Sequence, residues 1–300
     1  MSSMPLKNFL TNKRVAVIGA AGSIGSALAK TIAKQKPKQL LILDQDETGI
    51  FELYEELKDK CKVDYIIASI RDQQKLFDVF GEYKPQIVYH AAAYKHVALM
   101  ERFPQEAIKT NVEGTKNVIA AAKFAKAEKM VFISSDKAVN PKCVMGKTKL
   151  EGEKMCLEEQ GMTKFIVVRF GNVMASRGSL LPIWNKQIAE NKNLTVTHPK
   201  MERYMMGIYD AVDLVLEASR TGNGGEKFIL DMGQPVKIAE FAKTIIRISG
   251  KPLGITYTNP KQGEKFSEEL MTKEEGRLAV KKGNLWIIYP KDTSSGKTEN

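Results

Sequence analysis

The 300-residue chain has no apolar run approaching the ~20 residues that a membrane-crossing helix needs. Its start, MSSMPLKNFLTNKR, has neither the apolar centre nor the cleavage site of an export signal. Its three cysteines, Cys61, Cys143 and Cys156, are too few and too scattered for a disulfide framework or a zinc site. These deficits argue against a spanning protein, a disulfide scaffold and a metal centre, so no metal and no membrane partner are expected. A reducing cytoplasm is the expected compartment. The formal charge of +11 is not gathered into a basic block with interleaved aromatics, so nucleic acid is not an expected partner. A dispersed excess of lysine suits solubility and the attraction of a small phosphorylated ligand. Apolar content of 43% and charged content of 27% are ordinary for a globular chain, long enough for one large or two small domains.

What the chain does contain is organised around 131–149, VFISSDKAVNPKCVMGKTK. A short apolar run of the kind that makes a buried parallel strand is followed at once by Ser135, Asp136 and Lys137. A Pro-containing loop then leads to a helical segment that starts near Val144 and carries Lys149. Loops at the carboxyl ends of parallel strands are where open α/β sheets bind ligands, and adjacent acid and base could donate one proton and remove another. The alternative is a solvated surface pair.

Near the start, the strand candidate 14–18 runs into Gly19-Ala-Ala-Gly22-Ser23-Ile24-Gly25 and then into a helix pattern. Gly19 suits a tight turn, Gly22 lets backbone N–H groups approach a pyrophosphate, and Gly25 lets helix pack closely on strand. The spacing is GxxGxxG, and strand, loop and helix stand in the order a dinucleotide site requires. A second strand, 39–43, ends at Asp44, placed to bond a ribose 2′-hydroxyl or else to cap the next helix with Glu47. No arginine is near in sequence to neutralise a 2′-phosphate, which favours NAD, with NADP as the alternative. Strands and helices then alternate, with Ala91-Ala92-Ala93 as small residues beside a cofactor and one helix expected over 106–126. This alternation predicts an α/β fold, a doubly wound parallel (Rossmann) sheet with a smaller substrate lobe. The expected division is 1–172 plus about 207–232 for the dinucleotide domain. The lobe takes about 173–206 and 233–289, and 290–300 is a disordered tail.

Several segments together resemble a known family: GAAGSIG at 19–25, HAAAYKHVALME at 90–101, NVEGTKNV at 111–118 and SSDKAVNPKCVMGKTK at 134–149. RFGNV at 169–173, MERYMM at 201–206 and QGEKFSEEL at 262–270 complete the set. They are similar to extended short-chain dehydrogenase/reductases of the polysaccharide-biosynthesis group, the nucleotide-sugar 4,6-dehydratases typically acting on UDP-N-acetylglucosamine. The resemblance covers about 13–276.

It implies a lyase in which hydride leaves sugar C4, a base removes the C5 proton, the 6-hydroxyl departs and hydride returns to C6. Asp136 is then the acid, Lys137 the C5 base, Ser135 a hydroxyl near the 4-oxygen and Lys149 the partner of the nicotinamide ribose. Met145 stands where the wider family has tyrosine, which leaves Asp136, Ser135 or a water to take the 4-hydroxyl proton. Ser69 and Ile70 fall where relatives read adenine, with Asp72 as an alternative. The implied substrate contacts are Lys95, His96, Asn172, Arg177, Ser179, Arg203 and Glu264. Their bland alternatives are a capped histidine, surface ion pairs and a solvated turn. Asn111 resembles the family's sheet-bridging asparagine and is expected to be structural. A homo-oligomer is implied. The competing readings are a UDP-N-acetylhexosamine 4-epimerase and a non-catalytic NAD-binding protein.

Overall fold

Continuous apolar runs, buried on both faces, build the centre of the protein. The computed structural model describes residues 9–159 and 161–290. All of the tail expected to be disordered, except Pro290, lies outside the described residues. Nine strands form one sheet: β1 (Arg14–Ile18), β2 (Gln39–Asp44), β3 (Val63–Ile67), β4 (Ile87–His90), β5 (Lys129–Ile133), β6 (Lys164–Arg169), β7 (Lys227–Leu230), β8 (Val280–Lys282) and β9 (Leu285–Ile288). Their order is β8-β9-β7-β6-β5-β4-β1-β2-β3. The first seven pair in parallel. β9 and β8 add antiparallel to that edge. The strand order turns between β1 and β4, which opens a crevice at their carboxyl ends.

Alternation within each strand divides the core into two layers. Val15, Val17, Leu40 and Ile42 face helices Ser23–Ala33 and Ile208–Thr221. Ala16, Ile18, Leu41 and Leu43 face helices Gln73–Tyr83 and Gly114–Phe124. Each fully buried Val, Leu or Ile in these layers contributes ~1.5–3 kcal/mol. Among the described residues no helix is long and apolar enough to cross a membrane.

Two local features depart from the sequence reading. The single helix expected over 106–126 is a short helix, Pro104–Ala107, a π-helical turn, Ile108–Glu113, and helix Gly114–Phe124. The wider turn carries Asn111, whose amide accepts from the Tyr94 N–H at 2.8 Å and donates to the Tyr94 carbonyl at 3.0 Å and Thr148 Oγ1 at 3.0 Å. It thereby ties the loop after β4 to helix Val144–Glu158, as a local widening of a helix at a site commonly does. The second departure is at the far edge. The segment 280–288, assigned in sequence to the lobe, forms β8 and β9 instead, and β9 pairs with β7 because Leu285 and Ile287 alternate inward onto the sheet's core.

The lobe has its own small core of Trp184, Leu194, Val196, Met201, Ile238 and Ala242. Helices Leu180–Ala189 and Ile238–Ser249 enclose it with paired short strands, Leu194–Val196 against Ile255–Tyr257 and Glu202–Arg203 against Val236–Lys237.

Candidate active site

The site lies along the carboxyl ends of β1, β2, β4, β5 and β6, where the sequence placed its polar residues. Gly19 takes φ +83°, and a Cβ there would lie 2.4 Å from the Ala92 nitrogen. A Cβ on Gly25 would lie 2.0 Å from the Gly19 carbonyl. Only glycine permits both approaches, and they press helix Ser23–Ala33 onto the turn. That helix starts at Gly22 with no side-chain cap and no acidic residue in its first turn, so its N-terminus is suited to an anion. A cavity of about 210 Å³ runs from here past Asp44, Ser69, Ile70 and Ala91–Ala93. A second, of about 520 Å³, shares Gly22, Ala91 and Ala93 and continues past Ser23, Ile24, Ser135, Met145 and Lys149. The cradle therefore fits the pyrophosphate and both riboses of a dinucleotide.

Asp44 accepts from the Ala21 N–H at 3.0 Å and the Asp46 N–H at 3.1 Å, which holds its carboxylate beside the glycine turn. The helix cap there is Asp46, not Asp44. Asp72 caps helix Gln73–Tyr83 and does not line the cavity, so its alternative role toward adenine falls away.

At the end of β5 the backbone enters a 3-10 turn, Asp136–Ala138, capped by Ser135. Asp136 is fully enclosed. Its Oδ1 accepts from Ser135 Oγ at 2.9 Å and from Lys137 Nζ at 3.0 Å, while Oδ2 is buried with no hydrogen-bond partner among the described residues. Asp136 lines neither neighbouring cavity; Ser135 and Lys137 do. The direct contact expected between Asp136 and a leaving hydroxyl is not open to this side chain, whose N–H is anchored to the Phe170 carbonyl beneath the turn. Lys137 also donates to Asn172 Oδ1 at 3.3 Å. Met145, 4% exposed, packs with Met100, Ala107 and Cys143. Lys149 sits with Nζ 4.1 Å from the Phe132 ring centroid, and burial pushes its ammonium down to about 8.

A third cavity, of about 800 Å³, opens between the lobe and the sheet. Lys95, His96, Lys137, Asn172 and Ser179 line both this cleft and the nicotinamide-side cavity, so the two meet there. Burial lowers Lys95, and burial with Lys95 and Lys261 lowers His96. Ser179 starts helix Leu180–Ala189 with its hydroxyl buried and unpartnered among the described residues. Arg203, held by the Glu202 and Phe266 carbonyls and by Glu264 at 3.2 Å, lies on the far wall with Glu264.

Arg177 departs from expectation. Its guanidinium pairs with Asp46 at 3.0 Å, its N–H donates to Ser23 Oγ at 2.8 Å, and it borders the dinucleotide cradle rather than the large cleft. The sequence argument that no arginine stands near Asp44 held only along the chain. Among the cleft residues, sequence reasoning missed Trp184, Lys142 and Glu268. Glu268 stood inside a segment already singled out for its resemblance, one position from Glu269, which instead accepts from Asn140 on the surface.

A doubly wound sheet with a Gly-rich cradle, an Asn-bridged π turn and a buried lysine in the second turn of the helix that follows the strand-end acid–base pair defines an extended short-chain dehydrogenase/reductase. The family model described as polysaccharide biosynthesis protein matches residues 15–290, and the chain belongs to that family. It is 45% identical over 276 residues to the capsular polysaccharide biosynthesis protein CapD of Staphylococcus aureus, covering 89% of this chain but 46% of that relative. It thus spans about half that relative's length. It is 35% identical over 287 residues to a UDP-glucose 4-epimerase of Rickettsia bellii, covering 92% and 83% of the two chains. Among solved structures, Pen from Bacillus thuringiensis matches with a TM-score of 0.89 and 37% identity, over 94% of this chain and 90% of that one.

Proposed function

We propose that the protein is an NAD-dependent 4,6-dehydratase of UDP-N-acetylglucosamine or a closely related nucleotide hexosamine. The observation that carries this reading is the Asp136–Lys137 pair, 3.0 Å apart, with the lysine at the meeting point of the dinucleotide cradle and the sugar-sized cleft. The dinucleotide, when bound, supplies hydride acceptance at C4 and hydride return at C6. The protein must then move protons. Ser135 takes the 4-hydroxyl proton and passes its own to Asp136 across 2.9 Å, which replaces the tyrosine that Met145 cannot imitate, since a thioether carries no proton. Lys137 takes the C5 proton made acidic by the neighbouring ketone. Asn172 holds Lys137, Lys95 and His96 border the sugar, and Arg203 with Glu264 meets the diphosphate and ribose at the far wall.

Product NMR after incubation with UDP-N-acetylglucosamine tests the proposal. The expected product is a 4-keto sugar whose C6 has become a methyl group. The likeness to UDP-glucose 4-epimerases over most of the chain favours a second reading, 4-epimerisation. An inverted 4-hydroxyl with C6 still oxygenated would select it and eliminate dehydration.

Lys149 gives a pH test of the cradle. Its hydrogen bond to the nicotinamide ribose is charge-assisted only while the amine is protonated, and its folded value is about 8. Dinucleotide affinity, followed by calorimetric titration, is therefore expected to weaken as pH rises through about 8. Lys149→Met should bind more weakly by ~1.5–3 kcal/mol at neutral pH, the usual worth of a charged hydrogen bond. It should also lose that pH dependence. A variant that keeps the wild-type slope would remove Lys149 from the ribose.

A further inference from the structure

The proposed reaction needs a neutral base for C5 and a proton for the departing 6-oxygen, and Asp136 is too enclosed to touch either. A second carboxyl does reach Lys137. Glu268 Oε1 lies 3.9 Å from Lys137 Nζ, and Oε2 lies 3.9 Å from Lys265 Nζ. Oε2 is buried and has no hydrogen-bond partner among the described residues, although the side chain lines the large cleft and the residue is only 5% exposed. Buried carboxylates are ordinarily supplied with donors, so an unpartnered one at a cleft wall calls for a reason. Lys265 spends its ammonium on the Val139 carbonyl at 2.8 Å, and Arg203 spends its own on Glu264 and two carbonyls. Burial, aided by the charge of Asp136, raises Glu268 above the ordinary carboxylate value against the opposing charges of Lys137, Arg203 and Lys265.

Resting on the dehydratase reading, we infer that Glu268 takes the proton of Lys137 and delivers it to the departing 6-oxygen. One transfer thereby prepares base and acid together. Asp136, Lys137 and Glu268 form a set of two carboxyls and one amine with a single mobile proton. Placed on Glu268, that proton leaves Lys137 a neutral amine beside a carboxylic acid. Lys137 then forms a bond to the C5 proton, and the C5–H electrons become the C5–C6 double bond. The C6–O6 bond breaks with its electrons on oxygen, and the Glu268 proton completes the water that leaves. The hydride taken from C4 returns to C6, and Lys137 gives its proton back to C5. The 4-hydroxyl proton stored on Asp136 crosses Lys137 to restore Glu268. The set ends as it began, and the water carries away one proton equivalent to the one removed at C4.

Glu268→Gln preserves shape and removes the proton. The test mixes the NAD-loaded variant with UDP-N-acetylglucosamine in heavy water. The ultraviolet signal of the reduced nicotinamide is expected to persist, because C4 oxidation does not use Glu268. Deuterium entry at C5 and release of the keto-deoxy sugar are expected to fall together by ~10²–10⁴-fold, the usual worth of a positioned proton-transfer group. Glu268→Asp is expected to recover part of both. Unchanged turnover overturns the inference. So does loss of nicotinamide reduction, which marks a packing role, and so does C5 exchange at the wild-type rate with elimination alone lost. A wild-type protein that releases no water from the sugar removes the dehydratase reading and this inference with it. An active wild type beside an equally active variant removes only the inference.

Discussion

Asp136→Asn is expected to lower release of the 4-keto-6-deoxy sugar by ~10²–10⁴-fold, while dinucleotide affinity stays at the wild-type level. The carboxylate has two donors, Ser135 Oγ at 2.9 Å and Lys137 Nζ at 3.0 Å, both on the same oxygen. An amide oxygen in that place can still accept from both but cannot take up a proton at neutral pH, so the store for the 4-hydroxyl proton disappears. Binding is spared because the enclosed side chain borders neither the cradle nor the cleft. The fold tolerates the change, since the second oxygen has no partner to lose among the described residues. Turnover and titration on the same preparation separate the two quantities. Near-normal turnover in the variant would falsify the assignment of proton storage to this residue and leave Ser135 to pass its proton to water.

Much of the fold was legible because its signals are local. β1 and β2 coincide with the apolar runs 14–18 and 39–43 read directly from the chain, and the Gly19–Gly25 turn follows from backbone approaches that no side chain permits. The π turn was not legible. Ile108–Glu113 has the apolar spacing of an ordinary helix, and its widening follows from Asn111 reaching Tyr94 and Thr148, the latter 37 residues away. β9 was missed because four residues with two inward apolar positions, Leu285 and Ile287, make a period-two signal too short to separate from a loop.

The candidate site divides the same way. Ser135, Asp136 and Lys137 are adjacent in sequence, so their meeting at a strand end could be anticipated. What could not be anticipated is which of them faces the ligand. The Asp136 N–H is fixed to the Phe170 carbonyl on β6's exit, and that bond turns the carboxylate inward. Arg177 and Asp46 meet across 131 residues, so no reading of neighbouring positions could place that guanidinium at the cradle. Glu268 and Glu269 carry the same side chain on adjacent positions, and only the packing of the 258–272 loop decides which enters the cleft and which meets Asn140.

That loop is anchored by a cluster of four charges, and Arg169→Met tests it. Arg169, 1% exposed, donates to both oxygens of Glu153 at 2.9 and 2.6 Å, to both oxygens of Glu275 at 2.7 and 3.0 Å, and to the Leu270 carbonyl at 3.0 Å. Lys227 completes the set at 2.9 Å from Glu153 and 2.6 Å from Glu275, so two cations balance two carboxylates. Removing Arg169 leaves two carboxylates to one ammonium in a buried place, and ~3–5 kcal/mol of unfolding free energy should be lost in urea titration at neutral pH. The cluster also sets an acid limit. Arg169 and Lys227 hold the Glu275 carboxyl down to about 2, from an ordinary value of 4.5. A carboxyl held low contributes stability fully above its unfolded value and loses it as pH falls toward the folded one, here ~3 kcal/mol between 4.5 and about 2. In Arg169→Met the shift shrinks, so stability should begin lower and fall less across that window. Because the same guanidinium fixes Leu270, the residue after Glu268 and Glu269 on the chain's return to the sheet, the variant should also lose turnover at temperatures where it is still folded. If Arg169→Met unfolds at the wild-type urea concentration and follows the wild-type acid profile, the four charges do not hold the cleft wall in place, and packing of the loop alone must do so.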